Sequence, residues 1–301
     1  MNSCLTTITS VLSGLALCAA LSVQSDGQEP KPPVSATASA DAAPSDDPSA
    51  HFFDALQRHP ERRDEAIRRL TEIALSGKAT PKEVLHLGLA HLWAAAEGLP
   101  SSPDSHQHAV LAMHWLECAE ALRPDDDRVP GWRLTAAWSV AKLEGRVEDA
   151  AAAIEGLLAQ TEIDPCFNSV TLGIAAFDLP RKSPSFQRAL KAMNAGFDCG
   201  NEQGGQDRPR WPHNVAGFLT ALCDFRLKAG DVAGAETALV IAEARESHER
   251  WPHRQLVADR FASLKDRAAR FANGDPSDDP AFALQRGGAL CTVCHAASQA
   301  R

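Results

Sequence analysis

The chain has 301 residues, 44% of them hydrophobic, and a formal net charge of −9. That length allows one or two domains with a sizeable core, and the negative charge removes the electrostatic case for nucleic-acid binding. Tyrosine is absent and alanine abundant, a balance that favours small-residue helix packing over a β-sandwich core.

Residues 1–25 carry no charged side chain, and "ITSVLSGLALCAALSV" is a continuous apolar run. Its length and the small residues that follow predict a signal peptide, with cleavage after "CAA" or "VQS". A membrane anchor is the rival reading. An apolar run of about 16 residues, interrupted by Ser and Gly, is short for a span. The expectation is an exported, periplasmic protein with no membrane span once mature. Residues 26–50 are rich in Pro, Ala, Ser and Asp and nearly devoid of large apolar side chains. Such a stretch cannot offset its ordering entropy by burial, and it reads as a disordered linker.

From residue 51 to 271 apolar residues recur at a spacing of three to four, with breaks at Gly and Pro. The pattern predicts an all-α domain. Residues 51–76 read as a first helix pair. "LEGRVEDAAAAIEGLLA" and "KAGDVAGAETALVIAEA" superpose, matching Gly145 to Gly230, Ala150 to Ala235, Ile154 to Leu239 and Leu157 to Ala242. A third copy places Val84, Leu87, Gly88 and His91 on one helix and Ala112, Leu116 and Ala119 on the next. A loop at roughly 99–108 separates them. Residues 168–197 make a fourth pair, with Ala189 and Met193 in its second helix. Over about 80–270 the pattern resembles the tetratricopeptide repeat, in which a Gly turns between antiparallel helices and a small residue lets them approach. The resemblance implies a helical-hairpin solenoid; an irregular α-bundle is the alternative.

"RWPH" occurs twice, at Arg210–His213 and Arg250–His253. Each copy precedes a helical stretch, and Pro212 and Pro252 suit a first helical turn. Among the cysteines, Cys166 and Cys199 bracket the fourth pair and are expected to form a disulfide in an oxidising compartment. Cys118 and Cys223 lie in apolar helical stretches and are expected as buried thiols.

Near the C-terminus stands Cys291-Thr292-Val293-Cys294-His295, with six residues after it. Cys-x-x-Cys-His is the spacing of covalent haem attachment. Two cysteines three apart lie on one helical face and suit the two haem vinyl groups, and the adjacent His295 reaches the iron as an axial ligand. A structural zinc site needs a second ligand pair, and no second Cys-x-x-Cys exists. A thioredoxin-like dithiol needs a preceding strand, and a Cys291–Cys294 disulfide is strained on a helix. "DPAFALQRGGALCTVCHA" resembles the attachment helix of c-type cytochromes. Its C-terminal placement resembles the cytochrome c′ and c-556 group, whose motif sits on the last helix of a bundle. The resemblance covers about the last twenty residues and implies one covalent haem c. The long array upstream and the lack of basic and aromatic residues after the motif depart from that group.

Residues 272–301 therefore read as a haem-attachment segment, with a helix of about 24 Å over 280–295 folded back along a helix at 252–271. That path brings Cys291, Cys294 and His295 toward Trp251 and His253. His253 is the candidate sixth ligand and His213 the runner-up, with Trp251 packing on the haem and Arg250 or Arg210 pairing with propionates. Met113 and Met193 read as core filling, and His86, His91, His106, His108 and His114 as loop and helix-surface histidines. The expected function is haem binding and electron transfer with a redox protein partner docked on the array. The alternatives are an interaction scaffold whose Cys-x-x-Cys-His binds zinc or nothing, and a peroxidase-like or gas-reacting haem enzyme. The sequence carries no catalytic constellation of its own.

Overall fold

The computed structural model describes residues 47–98, 102–202, 215–244, 251–284 and Cys291, without the side chains of 199–202. Among the described residues there are eleven α-helices and no strand: α1 (Pro48–Gln57), α2 (Arg63–Leu75), α3 (Pro81–Glu97), α4 (Pro103–Leu122), α5 (Val129–Leu143), α6 (Val147–Ile163), α7 (Pro165–Ala176), α8 (Pro184–Glu202), α9 (Val215–Ala229), α10 (Val232–Glu243) and α11 (Gln255–Ala272). The all-α expectation holds.

The helix starts are set by local chemistry. Thr80 and Glu83 form a reciprocal capping box at α3. The Asp47, Ser102, Asp164 and Asp231 side chains accept backbone N–H bonds at the starts of α1, α4, α7 and α10. Pro48, Pro81, Pro103 and Pro165 sit in first turns, where a missing N–H costs nothing. Two boundaries are corrected by this chemistry. The Asp47 cap starts α1 at Pro48, inside the stretch expected as linker to residue 50. Ser102 and Pro103 start α4 early, so 103–108 are helical rather than loop. Between α5 and α6, and between α9 and α10, the chain reverses at Gly145 (φ 69°) and Gly230 (φ 93°). A side chain is strained in that left-handed region, which explains why the two matched glycines stand there.

Each helix packs on its neighbour in the chain, from α1 on α2 through α10 on α11. In addition α1 packs on α3, α3 on α5, α5 on α7, α6 on α8 and α9 on α11. Two of the matched apolar pairs behave alike. Ile154 and Leu239, and Leu157 and Ala242, are all buried. Helices α3 and α9 are buried on nearly every face, and their apolar residues accordingly show no single stripe. Gly88 of α3 faces α4 so closely that a Cβ there would lie 2.8 Å from Leu116 Cγ. Gly88→Ala is expected to destabilise the fold by about 1–3 kcal/mol through overpacking, read as a lower urea midpoint with an unchanged m-value.

Two main apolar cores result. One is built from α1–α4 and the start of α5, around Phe52, Leu70, Leu87, Trp93 and Leu116. The other runs from α5 to residue 284, around Leu157, Phe186, Met193, Phe218 and Phe225. Met193 is fully buried there and fills the space opposite Gly173, as expected of a core methionine.

After α11 the chain departs from the expected helix over 280–295. Residues 279–284 are not helical, although Cys291 is. Their backbone is satisfied by the body of the protein instead. The Ala283 N–H donates to buried Asp224 at 2.7 Å, and the Ala281 carbonyl accepts from Arg267 at 2.7 Å. Asp279 accepts from Lys228 at 2.9 Å. Phe282 stacks on Phe177, with centroids 3.9 Å apart and planes 7° from parallel. Pro280 has no N–H to give to a helix. Residues 276–284 thus form a strap over the ends of α7 and α9. The second RWPH tail also differs from expectation. Trp251–Arg254 make an i→i+3 turn, and α11 begins only at Gln255.

Candidate functional site: the cleft at Cys291

Cys291 is half-buried and packs against both main cores. It lines two cavities, of about 730 Å³ and about 310 Å³, which share Leu92, Trp132 and Cys291. Both volumes lie in the range of cofactor clefts. The larger lies between α5, α7 and the strap. Trp132, Trp138, Ile174, Phe177 and Phe282 supply its apolar wall. Its rim carries Lys142, paired with Asp178 at 3.0 Å, and Lys228, which donates to the Phe177 carbonyl at 2.8 Å as well as to Asp279.

The smaller cavity lies against α1 and α3. Its walls are aromatic, with Phe52, Phe53, Trp93 and Phe167, and its edge is basic, with Lys82, Arg123 and Arg128. Asp126 is the acidic group there and bonds Arg123 at 2.6 Å and Arg128 at 2.8 Å. Burial opposes ionisation of Asp126, but hydrogen bonds and charge from Arg128 outweigh it and hold the carboxyl below its ordinary range. Three cations against one carboxylate leave this edge net positive.

His86 is the imidazole of this cavity. It is buried on α3, stacks on Phe52 with centroids 5.2 Å apart, and meets Phe53 edge-on at 4.8 Å. Its Nδ1 lies 2.9 Å from the Ser49 hydroxyl. Burial, aided by the charges of Lys82 and Arg123, lowers its pKa to about 4, so the ring is neutral at physiological pH.

The other histidines lie elsewhere. His91 and His108 face each other, Nδ1 to Nδ1, at 2.9 Å. His106 bonds Glu144 at 2.8 Å. The expectation of surface or loop positions fails for His86 and His91, which are both buried because α3 is covered on nearly every face. Among the described residues no three His, Cys, Asp or Glu side chains gather as a metal site.

Of the residues expected at the haem, Cys294, His295, His213, Arg210 and Arg250 lie outside the described residues. Trp251 is fully buried in the second core, and His253 is half-buried beside it with centroids 5.8 Å apart. Neither lines either cavity at Cys291. Cys166 is in a disulfide, and the side chain of its expected partner Cys199 lies outside the described set. Cys118 is also in a disulfide, which overturns its reading as a thiol, whereas Cys223 is a buried thiol whose pKa burial pushes up to about 12. The sequence reading missed His86, Trp132 and the basic edge. A signal existed: a histidine inside "VLHLGLAHLW", a run apolar on every helical face, is buried and needs a reason to be there.

The chain matches no protein-family model, no curated protein and no solved structure. Among the described residues, no helix is long and apolar enough to cross a membrane.

Proposed function

We propose that the protein is an exported, periplasmic monohaem c-type cytochrome-like electron-transfer protein. In this reading a tetratricopeptide-like helical-hairpin array holds one covalent haem c in the cleft at its C-terminal segment. The observation that carries it is the position of Cys291. The first cysteine of the attachment motif lines two adjoining cavities with aromatic and aliphatic walls, most of which come from helices more than 100 residues earlier in the sequence.

The residues present fit the group. Cys291 and Cys294 would hold the group covalently, each thiol forming one thioether bond with a vinyl group, and His295 would bind the iron. Trp132, Trp138, Phe177 and Phe282 would pack against the group in the larger cavity. Lys82, Arg123 and Arg128 offer charge-assisted hydrogen bonds to carboxylates at the edge of the smaller one. When bound, haem supplies one-electron chemistry, and the protein sets potential and access. The stacked faces of the hairpins offer a surface for a redox partner.

Covalent haem survives denaturation, so a haem stain on a denaturing gel tests the reading. Protein matured in a periplasm with c-type attachment machinery is expected to stain, and the Cys291→Ser/Cys294→Ser double variant to lose the stain completely. An unstained wild-type band would return the chain to the class of interaction scaffolds. A stained protein with a high-spin iron open to peroxide or gas would point to the haem-enzyme reading.

A further inference from the structure

We infer that His86, on α3, would bind the haem iron as a second protein ligand in addition to the motif histidine His295. The inference rests on the haem reading and deepens it. Among the described residues lining the two cavities at Cys291, His86 is the one histidine, and none is a methionine. The ligand types that hold low-spin haem iron in electron carriers therefore reduce to this imidazole on the described walls.

Its surroundings are those of a prepared ligand. An axial imidazole binds through one nitrogen while the other donates to an oriented acceptor that fixes tautomer and ring angle. The Ser49 hydroxyl, 2.9 Å from Nδ1, is placed to be that acceptor, leaving the Nε2 lone pair for iron. Ser49 is itself buried, near the start of α1. Phe52 and Phe53 clamp the ring from two sides. The other described histidines and Met193 named as candidates are engaged or distant, and so is Lys228. His91 is paired with His108, Met193 is packed against Gly173, and Lys228 is held by the Phe177 carbonyl and Asp279. His253 lies beside Trp251, which neither cavity touches.

The experiment uses the full haem-stained protein, with optical and electron paramagnetic resonance spectra in both oxidation states. The wild type is expected to be low-spin with two nitrogen ligands. His86→Ala should keep the stain, lose the low-spin spectrum and recover it on addition of imidazole. His86→Met, which keeps the cavity filled should the alanine variant fold poorly, should exchange a nitrogen for a thioether ligand and raise the reduction potential. Low-spin spectra and potentials unchanged in both variants, or a wild type that is high-spin, would overturn His86 while leaving covalent haem standing. An unstained wild type would overturn the haem reading and this one together. Loss of the low-spin spectrum in His253→Ala alone would transfer the role to His253.

Discussion

Asp224→Ala is expected to destabilise the protein by about 3–5 kcal/mol, the cost of stranding a buried partner charge. Asp224 is fully buried on α9. It accepts from Arg260 Nη2 at 2.9 Å, from Arg267 Nη2 at 2.6 Å and from the Ala283 N–H at 2.7 Å. Arg260 is buried as well, and Arg267 nearly so. Removing the carboxylate leaves two guanidinium groups facing each other across a water-poor space, and it unlatches the strap. In a chain of this size such a loss lowers the melting temperature by roughly 10 °C. Limited proteolysis supplies the second readout. Cleavage within 279–284 should quicken in the variant, because the Ala283 N–H has lost its acceptor. A variant that melts within 1 °C of wild type would show that the ion cluster is not what holds the strap. If the proposed haem reading holds, the same variant should also incorporate less haem.

Acidification is the second large effect. Burial lowers the pKa of His86 to about 4. Burial, then the neighbouring His108, lowers that of His91 to about 3. Unfolded, both rings titrate near 6.5. Between those values the unfolded chain binds protons that the folded chain refuses, so the unfolded state gains as pH falls. Stability is complete above about pH 6.5 and is lost progressively below it, down to about pH 4 for His86 and about pH 3 for His91. At pH 4.5 the two rings together cost up to about 5 kcal/mol. Burial lowers the pKa of His108 and of His253 too, which adds in the same direction. Urea midpoints of the haem-free protein between pH 7 and 4.5 measure the slope. His91→Phe should flatten it, whatever its effect on stability at pH 7. A profile with no slope in that window, in wild type and variant alike, would show that these rings are protonated in the fold.

Much of the helical framework was legible in the sequence because it is local. The reversals at Gly145 and Gly230 follow from a backbone conformation that a side chain resists. The matched apolar positions at 154, 157, 239 and 242 follow from helical period and are buried as expected. One error was local in origin and one was not. The Ser102–Pro103 start of α4 was hidden by a Ser- and Pro-rich composition that reads as loop. Cys118 reads as a core thiol because a disulfide depends on a partner far along the chain.

The Cys-x-x-Cys-His spacing belongs to the same local class. Cys291, Cys294 and His295 stand at a spacing whose chemistry needs no knowledge of the rest of the chain. The cavity walls are of the other kind. The expected path along α11 rests on a continuous helix after Pro280, and it points toward Trp251 and His253. Asp224, Arg267 and Lys228 capture residues 279–284 instead, and the two cavities at Cys291 take their walls from α1, α3, α5, α7 and the strap. Helix ends, reversals and cysteine spacing are decided within a few residues, by caps, φ angles and the helical period, so the sequence alone determined them. Which surface meets Cys291 depends on a buried carboxylate satisfying an N–H 59 residues away. Only the folded chain brings those two groups together, and so only the tertiary structure could set His86 and the basic edge in one cavity with Cys291.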